Sequence, residues 1–375
     1  MKKKVRVGII FGGRSGEHEV SLLSAQGVMR AIDKERYTIV PIGIAKDGRW
    51  LASGDPMKAL TSGDAAESHH AALLAEPSQQ GLMRLEKQEQ SLTAIRVSQL
   101  DVVFPILHGP YGEDGTVQGL LELAGVPYVG AGVMASAVGM DKAIFKDVMR
   151  AHGLPIAPYL VVKRKSLEHQ PEEVVSRIEA EIGYNCFVKP ANLGSSVGIT
   201  KAHSRTELRA ALEEAARYDR KLVVEVAVDA REIEVSVLGN DEPIASVPGE
   251  IVPSNEFYDY AAKYIDGDSQ LLIPAPVPPE TAEAIRRMAA EAYLAIDCAG
   301  MARADFLLDR VTGEVFMNEV NTLPGFTPIS MYPKLWEATG ISYPELIDRL
   351  LQLALERQAD KEKSATSYRP EMGRP

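Results

Sequence analysis

Residues 5–11 form an apolar run interrupted by Arg6 and ended by Gly12-Gly13. Residues 20–32 then carry apolar positions at helical spacing, residues 37–44 and 100–107 read as strands, and residues 116–123 read as a helix ahead of a strand at 126–129. Strand and helix signals alternating in this way predict an α/β fold, an open parallel sheet with helices on both faces. Between residues 53 and 99, Ala, Ser, Gln and Glu dominate and periodicity is weak, so a helical or partly mobile insertion is expected there.

A second unit begins near Ala131. A helix is predicted over 141–152, stopped by Gly153 and Pro155, then strands at 158–162 and 186–189 separated by a helix at 171–182. A loop of small residues, Pro190 to Gly198, follows, and residues 197–200 read as another strand. A third unit runs from Lys221 to about residue 355, strand-rich first and helical at its end. The expected division is 1–130, 131–224 and 225–358, with a disordered tail at 359–375 where apolar residues are few. No internal repeat is visible.

The length of 375 residues fits two or three domains, each able to bury a core. With 41 basic and 52 acidic residues the formal net charge is −11, which argues against a general nucleic-acid binder but leaves room for a local basic pocket. Two cysteines, Cys186 and Cys298, each lie in a hydrophobic stretch. They are too few for a disulfide framework or a cysteine zinc site and point to a reducing compartment. Met1-Lys2-Lys3-Lys4 imitates the basic start of a signal peptide, but the run after it is short, contains Arg6 and meets glycines instead of a cleavage site. No stretch reaches the roughly 18–20 apolar residues of a membrane span. A cytoplasmic protein with no membrane partner is expected.

Two familiar patterns mislead. Gly194-Ser195-Ser196-Val197-Gly198 fits G-x-S-x-G, but Pro190 ends the strand early, and His203 is the only later histidine and too close to serve as the base. Gly130-Ala131-Gly132-Val133-Met134-Ala135 fits a dinucleotide fingerprint without the strand and acid that should follow. No Gly-Lys pair exists, which removes a Walker-type phosphate loop.

Three segments carry chemistry. Gly12 to Glu19 follows the first strand and opens a helix, leaving N–H groups for an anion and Glu17 placed to meet an ammonium; a plain turn with acids on the helix dipole is the alternative. Lys189 ends a buried strand before the Gly194–Gly198 loop, which suits a flap over phosphates or else a flexible surface loop. Residues 301–308 and 314–321 read as a hairpin around Asp309-Arg310-Val311-Thr312-Gly313. If Leu308 pairs with Glu314, Arg303 lies opposite Glu319, with Asp305 and Asn321 on the same face. Asp, Glu and Asn are hard oxygen ligands suited to magnesium on phosphates and unsuited to zinc; solvated hairpin charges are the alternative. His108, just past a buried strand in a glycine-rich loop, faces either an active site or a structural turn. His69 and His70 are expected to be exposed and receive no role.

Taken together, six segments in order closely resemble the D-alanine–D-alanine ligase family of the ATP-grasp superfamily. They are Phe11 to Ser21, Leu107 to Gly119, Met140-Asp141-Lys142, Val188-Lys189-Pro190 with Gly194 to Gly198, Phe257 to Tyr264, and Asn318 to Gly325. The resemblance covers residue 8 to about residue 355 and implies a three-domain architecture, an open parallel sheet followed by two α+β domains sandwiching ATP. It implies that Lys142 and Lys189 hold phosphates, with Glu225 and Glu232 at adenine and ribose. Asp305, Glu319 and Asn321 would carry two Mg2+ (or Mn2+) ions. Glu17 would bind the first D-alanine's ammonium in a set with Ser195 and Tyr264. Arg303 and the Gly325 N–H would form the oxyanion hole, Ser330 and Met331 would line the second D-alanine site, and His108 and Lys263 would help bind substrate or intermediate.

The implied reaction phosphorylates the first D-alanine's carboxylate with ATP. The second amine attacks the acyl phosphate, and the tetrahedral intermediate gives D-alanyl-D-alanine, ADP and phosphate for peptidoglycan precursors. A homodimer is also implied. Val226 stands where some relatives have lysine and Leu323 where others have serine. The competing expectations are a D-alanine–D-lactate ligase, disfavoured because Tyr258 to Tyr264 is intact, and a catalytically silent nucleotide binder.

Overall fold

The computed structural model describes residues 3–52, 54–62, 69–87, 89, 91–252 and 270–365. Its strands form three sheets. The first holds β1 (Val5–Gly12), β2 (Tyr37–Ile44), β3 (Trp50–Ala52), β4 (His69–Leu73), β5 (Leu82–Lys87), β6 (Leu92–Ser98) and β7 (Val102–Ile106), in the order β6-β5-β4-β3-β2-β1-β7. β1 is flanked by parallel β2 and β7, so both its faces are buried and its sequence reads as a nearly unbroken apolar run. Val7, Ile9 and Phe11 face α1 (His18–Ala31), while Ile10 faces the opposite layer. The same unit supplies α2 (Pro56–Ser62) and α3 (Thr116–Ala124), the latter burying Val117 and Leu121 beside Ile10. The strand expected at 126–129 reduces to one parallel bridge between Val103 and Tyr128.

The expected helical insertion is corrected. Beyond the short α2, its described residues are mainly β4, β5 and β6, which extend the sheet antiparallel. Ala71, Leu73 and Leu82 bury one side of β4 and β5, but β6 is exposed along nearly all its length, its Leu92, Ile95 and Val97 included, so ladder pairing rather than burial holds the outermost strand. His69 and His70 are exposed, as expected.

The second sheet has the order β10-β9-β11-β8, from β8 (Tyr159–Lys163), β9 (Cys186–Pro190), β10 (Thr200–Ala202) and β11 (Lys221–Val226). Leu160, Val162, Val188, Leu222 and Val224 bury one face against helices that follow α4 (Val133–Met140) and α5 (Lys142–Ala151), namely α6 (Arg164–His169), α7 (Pro171–Glu181) and α8 (Arg205–Tyr218). Strand alternation sends Lys189, Val223 and Glu225 to the other face, where Val223 packs on Ala143 of α5. β11 runs to Val226, so the expected boundary between residues 224 and 225 falls inside a strand.

The third sheet has the order β15-β14-β12-β16-β17, with β13 (Ile244–Ala245) beside β12 (Ala230–Gly239). Its other strands are β14 (Gly249–Val252), β15 (Gln270–Leu272), β16 (Gly300–Asp309) and β17 (Val315–Asn321). α9 (Pro279–Ala295) packs on one face, together with Phe145 and Met149 of α5. α10 (Met331–Ala338) leads to α11 (Tyr343–Lys361), which shares a core with β1 and β7 of the first sheet. Residues 359–361 of the expected tail are therefore helical, and residues 366–375 lie outside the described residues.

Candidate active site

β1 ends in a turn that only glycine permits: Gly12 has φ +91°, and a Cβ there would lie 2.2 Å from the Ile44 carbonyl oxygen. The chain then reaches Glu17, buried at the start of α1. Ser15 Oγ accepts from the Glu17 N–H (3.2 Å) and donates to the His108 carbonyl (2.6 Å), joining this loop to the one after β7. There Gly109 N–H donates to Glu113 Oε1 at 2.9 Å. Burial, reinforced by the Glu17 charge, pushes the Glu113 carboxyl up to about 8.

His108 is buried with both ring nitrogens engaged. Nδ1 donates to the Leu323 carbonyl at 3.1 Å, and Nε2 lies 3.3 Å from Ser24 Oγ, which accepts from the Phe326 N–H (3.3 Å). A carbonyl can only accept, so Nδ1 carries the proton and Nε2 accepts from Ser24. Burial holds the imidazole below its ordinary value, in its neutral form. His108 thus ties the first sheet to the segment after β17.

The second sheet contributes cations. Asp141 caps α5 by accepting from the Ala143 and Ile144 N–H groups, and it also pairs with Lys221. Lys142 Nζ donates to the Leu193 carbonyl (2.8 Å) and lies 3.6 Å from Glu319 Oε2. Lys189 pairs with Glu225, whose other oxygen is 2.9 Å from Lys146 Nζ. Burial, with the neighbouring lysine charges, lowers Lys189 to about 7 and Lys146 to about 8. The Gly194–Ser195 loop crosses to the first sheet: Ser195 Oγ donates to Glu17 Oε1. Gly194 lies beside both carboxyls: a Cβ there would make ordinary contacts of 3.4 Å with Glu17 Oε2 and 3.5 Å with Glu113 Oε1.

The third sheet corrects the expected hairpin register. Leu308 pairs with Val315, not Glu314; Asn318 is then skipped in a bulge, so Asp305 faces Glu319 and Arg303 faces Asn321. The shift at the turn and the shift at the bulge sum to an even number, and Arg303, Asp305, Glu319 and Asn321 still share a face. Arg303 binds Asp305 through two hydrogen bonds (2.7 and 2.6 Å) and lies 3.1 Å from Glu234 Oε2. Burial opposes its charge, but Asp305 and Glu234 more than compensate and hold the guanidinium well above its ordinary value. Asn321 Oδ1 accepts from the Leu323 N–H at 3.1 Å.

Gly325 lies half-buried in the loop that follows. Ser330 Oγ accepts from the Thr327 N–H at 3.1 Å, and Met331 packs in a core with Ile251 and Leu335. Glu232 is half-buried on β12, opposite Leu307 and Ile251. Lys263 and Tyr264 lie outside the described residues. Three side chains in this region received no role from the sequence: Glu113, Lys146 and Glu234. Lys146 was accessible to reasoning, since it stands four residues after Lys142 on a helix. Glu234 required the β12–β16 register, in which it faces Asp305.

Among the described residues no helix is long and apolar enough to cross a membrane, and Cys186 and Cys298 are free and buried. The D-ala D-ala ligase N-terminus family model matches residues 6–131 and the D-ala D-ala ligase C-terminus model matches residues 148–352. The chain is 53% identical over 369 residues to a D-alanine–D-alanine ligase of Heliobacterium modesticaldum, covering 98% of this chain and all of that one. It is 54% identical over 363 residues to one from Thermoanaerobacter sp., covering 96% and 99%. Among solved structures it resembles a D-Ala:D-Ser ligase from Enterococcus faecalis (36% identity, TM-score 0.83, 94% of this chain and 100% of that one). It also resembles the D-alanine–D-alanine ligase from Coxiella burnetii (35%, TM-score 0.80, 96% of each). The chain belongs to the D-alanine–D-alanine ligase family.

Proposed function

We propose that the chain joins two D-alanines at the expense of ATP and that the reaction takes place where the three sheets meet. The observation that carries this reading is the Leu193–Ser195 loop between β9 and β10, whose Leu193 carbonyl accepts from Lys142 and whose Ser195 hydroxyl donates to Glu17, while Lys142 reaches Glu319 of the third sheet. An ammonium binder, phosphate-binding lysines and an acid-rich strand pair thus surround one buried region. The division near residues 130 and 226, and a short tail, follow the three sheets and are proposed as the domain limits.

In this reading Glu17, oriented by Ser195 and Tyr264, receives the ammonium of the first D-alanine. Lys142 and Lys189 hold the phosphates, and Glu225 and Glu232 flank the adenosine. Arg303 and the Gly325 N–H stabilise the oxyanion of the tetrahedral intermediate. Ser330 and Met331 border the second D-alanine, and Lys263 contacts substrate. His108 acts by holding Leu323 and, through Ser24, Phe326. Asp305 directly opposite Glu319, with Asn321 two residues on, is a hard-oxygen donor set fit for Mg2+ or Mn2+. Such ions, when bound, neutralise charge on the transferring phosphoryl group. A cytoplasmic homodimer completes the proposal.

The test is phosphate release from ATP and magnesium with D-alanine, with L-alanine, or with D-alanine plus D-lactate, the products weighed by mass spectrometry. D-alanyl-D-alanine from D-alanine alone supports the reading. Ester instead of dipeptide redirects it to a D-lactate ligase, and no turnover in any mixture leaves a nucleotide binder.

A further inference from the structure

We propose that Lys146 is a positioning residue for the nucleotide, the fixed counter-ion that keeps Glu225 in place and leaves the Lys189 ammonium available to phosphate. The inference rests on the reading of Lys189 and Glu225 as nucleotide-binding groups.

One buried carboxylate here serves two buried cations. The Glu225 and Lys146 side chains are each 3% exposed and that of Lys189 is 12% exposed. The three arrive from different elements: Glu225 from β11, Lys189 from its neighbour β9, and Lys146 from α5, which lies over the same sheet face. With both lysines protonated, Glu225 neutralises one positive charge and the trio keeps one in excess, next to Lys142 and facing Glu319 and Glu232. The two lysines are not equivalent. Lys146 is sealed between α5 and the sheet, with the Tyr159 ring 5.8 Å from its ammonium. Lys189 is the more accessible and stands directly before the Gly194–Ser195 loop.

A phosphate that recruits Lys189 must draw it from Glu225. With Lys146 present, the buried carboxylate keeps a partner when that happens. Without Lys146, Lys189 is the only cation among the described residues that pairs with Glu225, and breaking that pair would leave a buried charge uncompensated. The function of Lys146 is therefore exerted on Glu225 and Lys189, not on substrate.

The test compares ATP dissociation constants, D-alanine KM values and melting temperatures of wild type, Lys146→Met, Lys146→Arg, Glu225→Gln and the Lys146→Met/Glu225→Gln double variant. Lys146→Met is expected to weaken ATP binding about tenfold or more while the D-alanine KM stays within about twofold, and Lys146→Arg is expected to restore most of the loss. The double variant should bind ATP within about twofold of Glu225→Gln, because a neutral amide at position 225 needs no counter-ion. ATP binding by Lys146→Met within about twofold of wild type, or losses that multiply in the double variant, would overturn the proposal. If Lys146→Met does not fold, the double variant and Lys146→Arg still decide: a folded double variant with weaker ATP binding than Glu225→Gln sinks it. Lys189→Met separates the two levels. Unchanged ATP binding in that variant removes the underlying nucleotide assignment, whereas weakened binding there with no effect at Lys146 removes only this inference.

Discussion

Arg303 is held by two carboxylates at once, Asp305 along its own strand and Glu234 on the next. Because it is an interior guanidinium aimed by these partners, Arg303→Ala is expected to lower kcat by about 10²–10³-fold or more while ATP binding persists. Retained turnover measured beside a binding isotherm would remove it from the oxyanion role. Glu113 offers a different readout. Its carboxyl is pushed up to about 8 in the fold, so between the ordinary glutamate range and that value the unfolded chain has released a proton that the folded chain keeps. Glu113 therefore makes the fold less stable as pH rises from about 5 to 8. Glu113→Gln should gain in melting temperature relative to wild type across that window, and a constant difference would contradict the assignment. Most residues at the site announce themselves by type and spacing, as Glu17, Lys189, Asp305 and Glu319 do, whereas Lys142 is reached only through the family resemblance. Glu113 does not, because its character comes from the packing of three distant segments.

At the scale of elements, the β16–β17 hairpin shows which part of a strand pair a sequence conveys. Alternation of side chains reveals the common face of Arg303, Asp305, Glu319 and Asn321, whereas the pairing partners depend on the turn and on the bulge at Asn318. Deleting Asn318 should straighten the strand while leaving Glu319 opposite Asp305 and Asn321 opposite Arg303, so the four side chains keep their common face. The deletion variant is expected to fold and to retain turnover, checked by circular dichroism beside an activity assay; a folded variant without activity would show that the local twist set by the bulge is required. The β5–β6 hairpin is the opposite case. β6 is solvated along nearly its whole length, and its exposed Leu92, Ile95 and Val97 give only a short, broken alternation, too weak to mark a strand. Strands buried on both faces, such as β1, are the easiest to read because apolar identity is required at nearly every position.

Across the whole molecule, the last helix is a strap. α11 belongs in sequence to the third unit, yet Leu346, Ile347, Leu350 and Leu351 share a core with Val7, Ile9 and Phe11 of β1. Arg357 donates to the carbonyls of Gly130 and Tyr128 and stacks over the Tyr128 ring at 4.4 Å, while Asp348 and Gln352 bond Tyr37. Arg357→Ala strips two carbonyls of their donors and is expected to destabilise the protein by about 1–3 kcal/mol, measured by denaturant unfolding. An unchanged midpoint would show that the apolar contacts alone suffice. Such long-range docking is invisible in a linear reading, where a terminal amphipathic helix is assigned to the unit that precedes it. The relay from Phe326 through Ser24 and His108 to Leu323 crosses the same junction with three hydrogen bonds. Its ends belong to one half of the chain and its middle to the other, so the two halves can drift only in step. A chimera made by recombining the first unit of one relative with the third of another will keep this relay only if the parent of the first unit carries Ser24 and His108, because the third unit meets them with backbone groups alone.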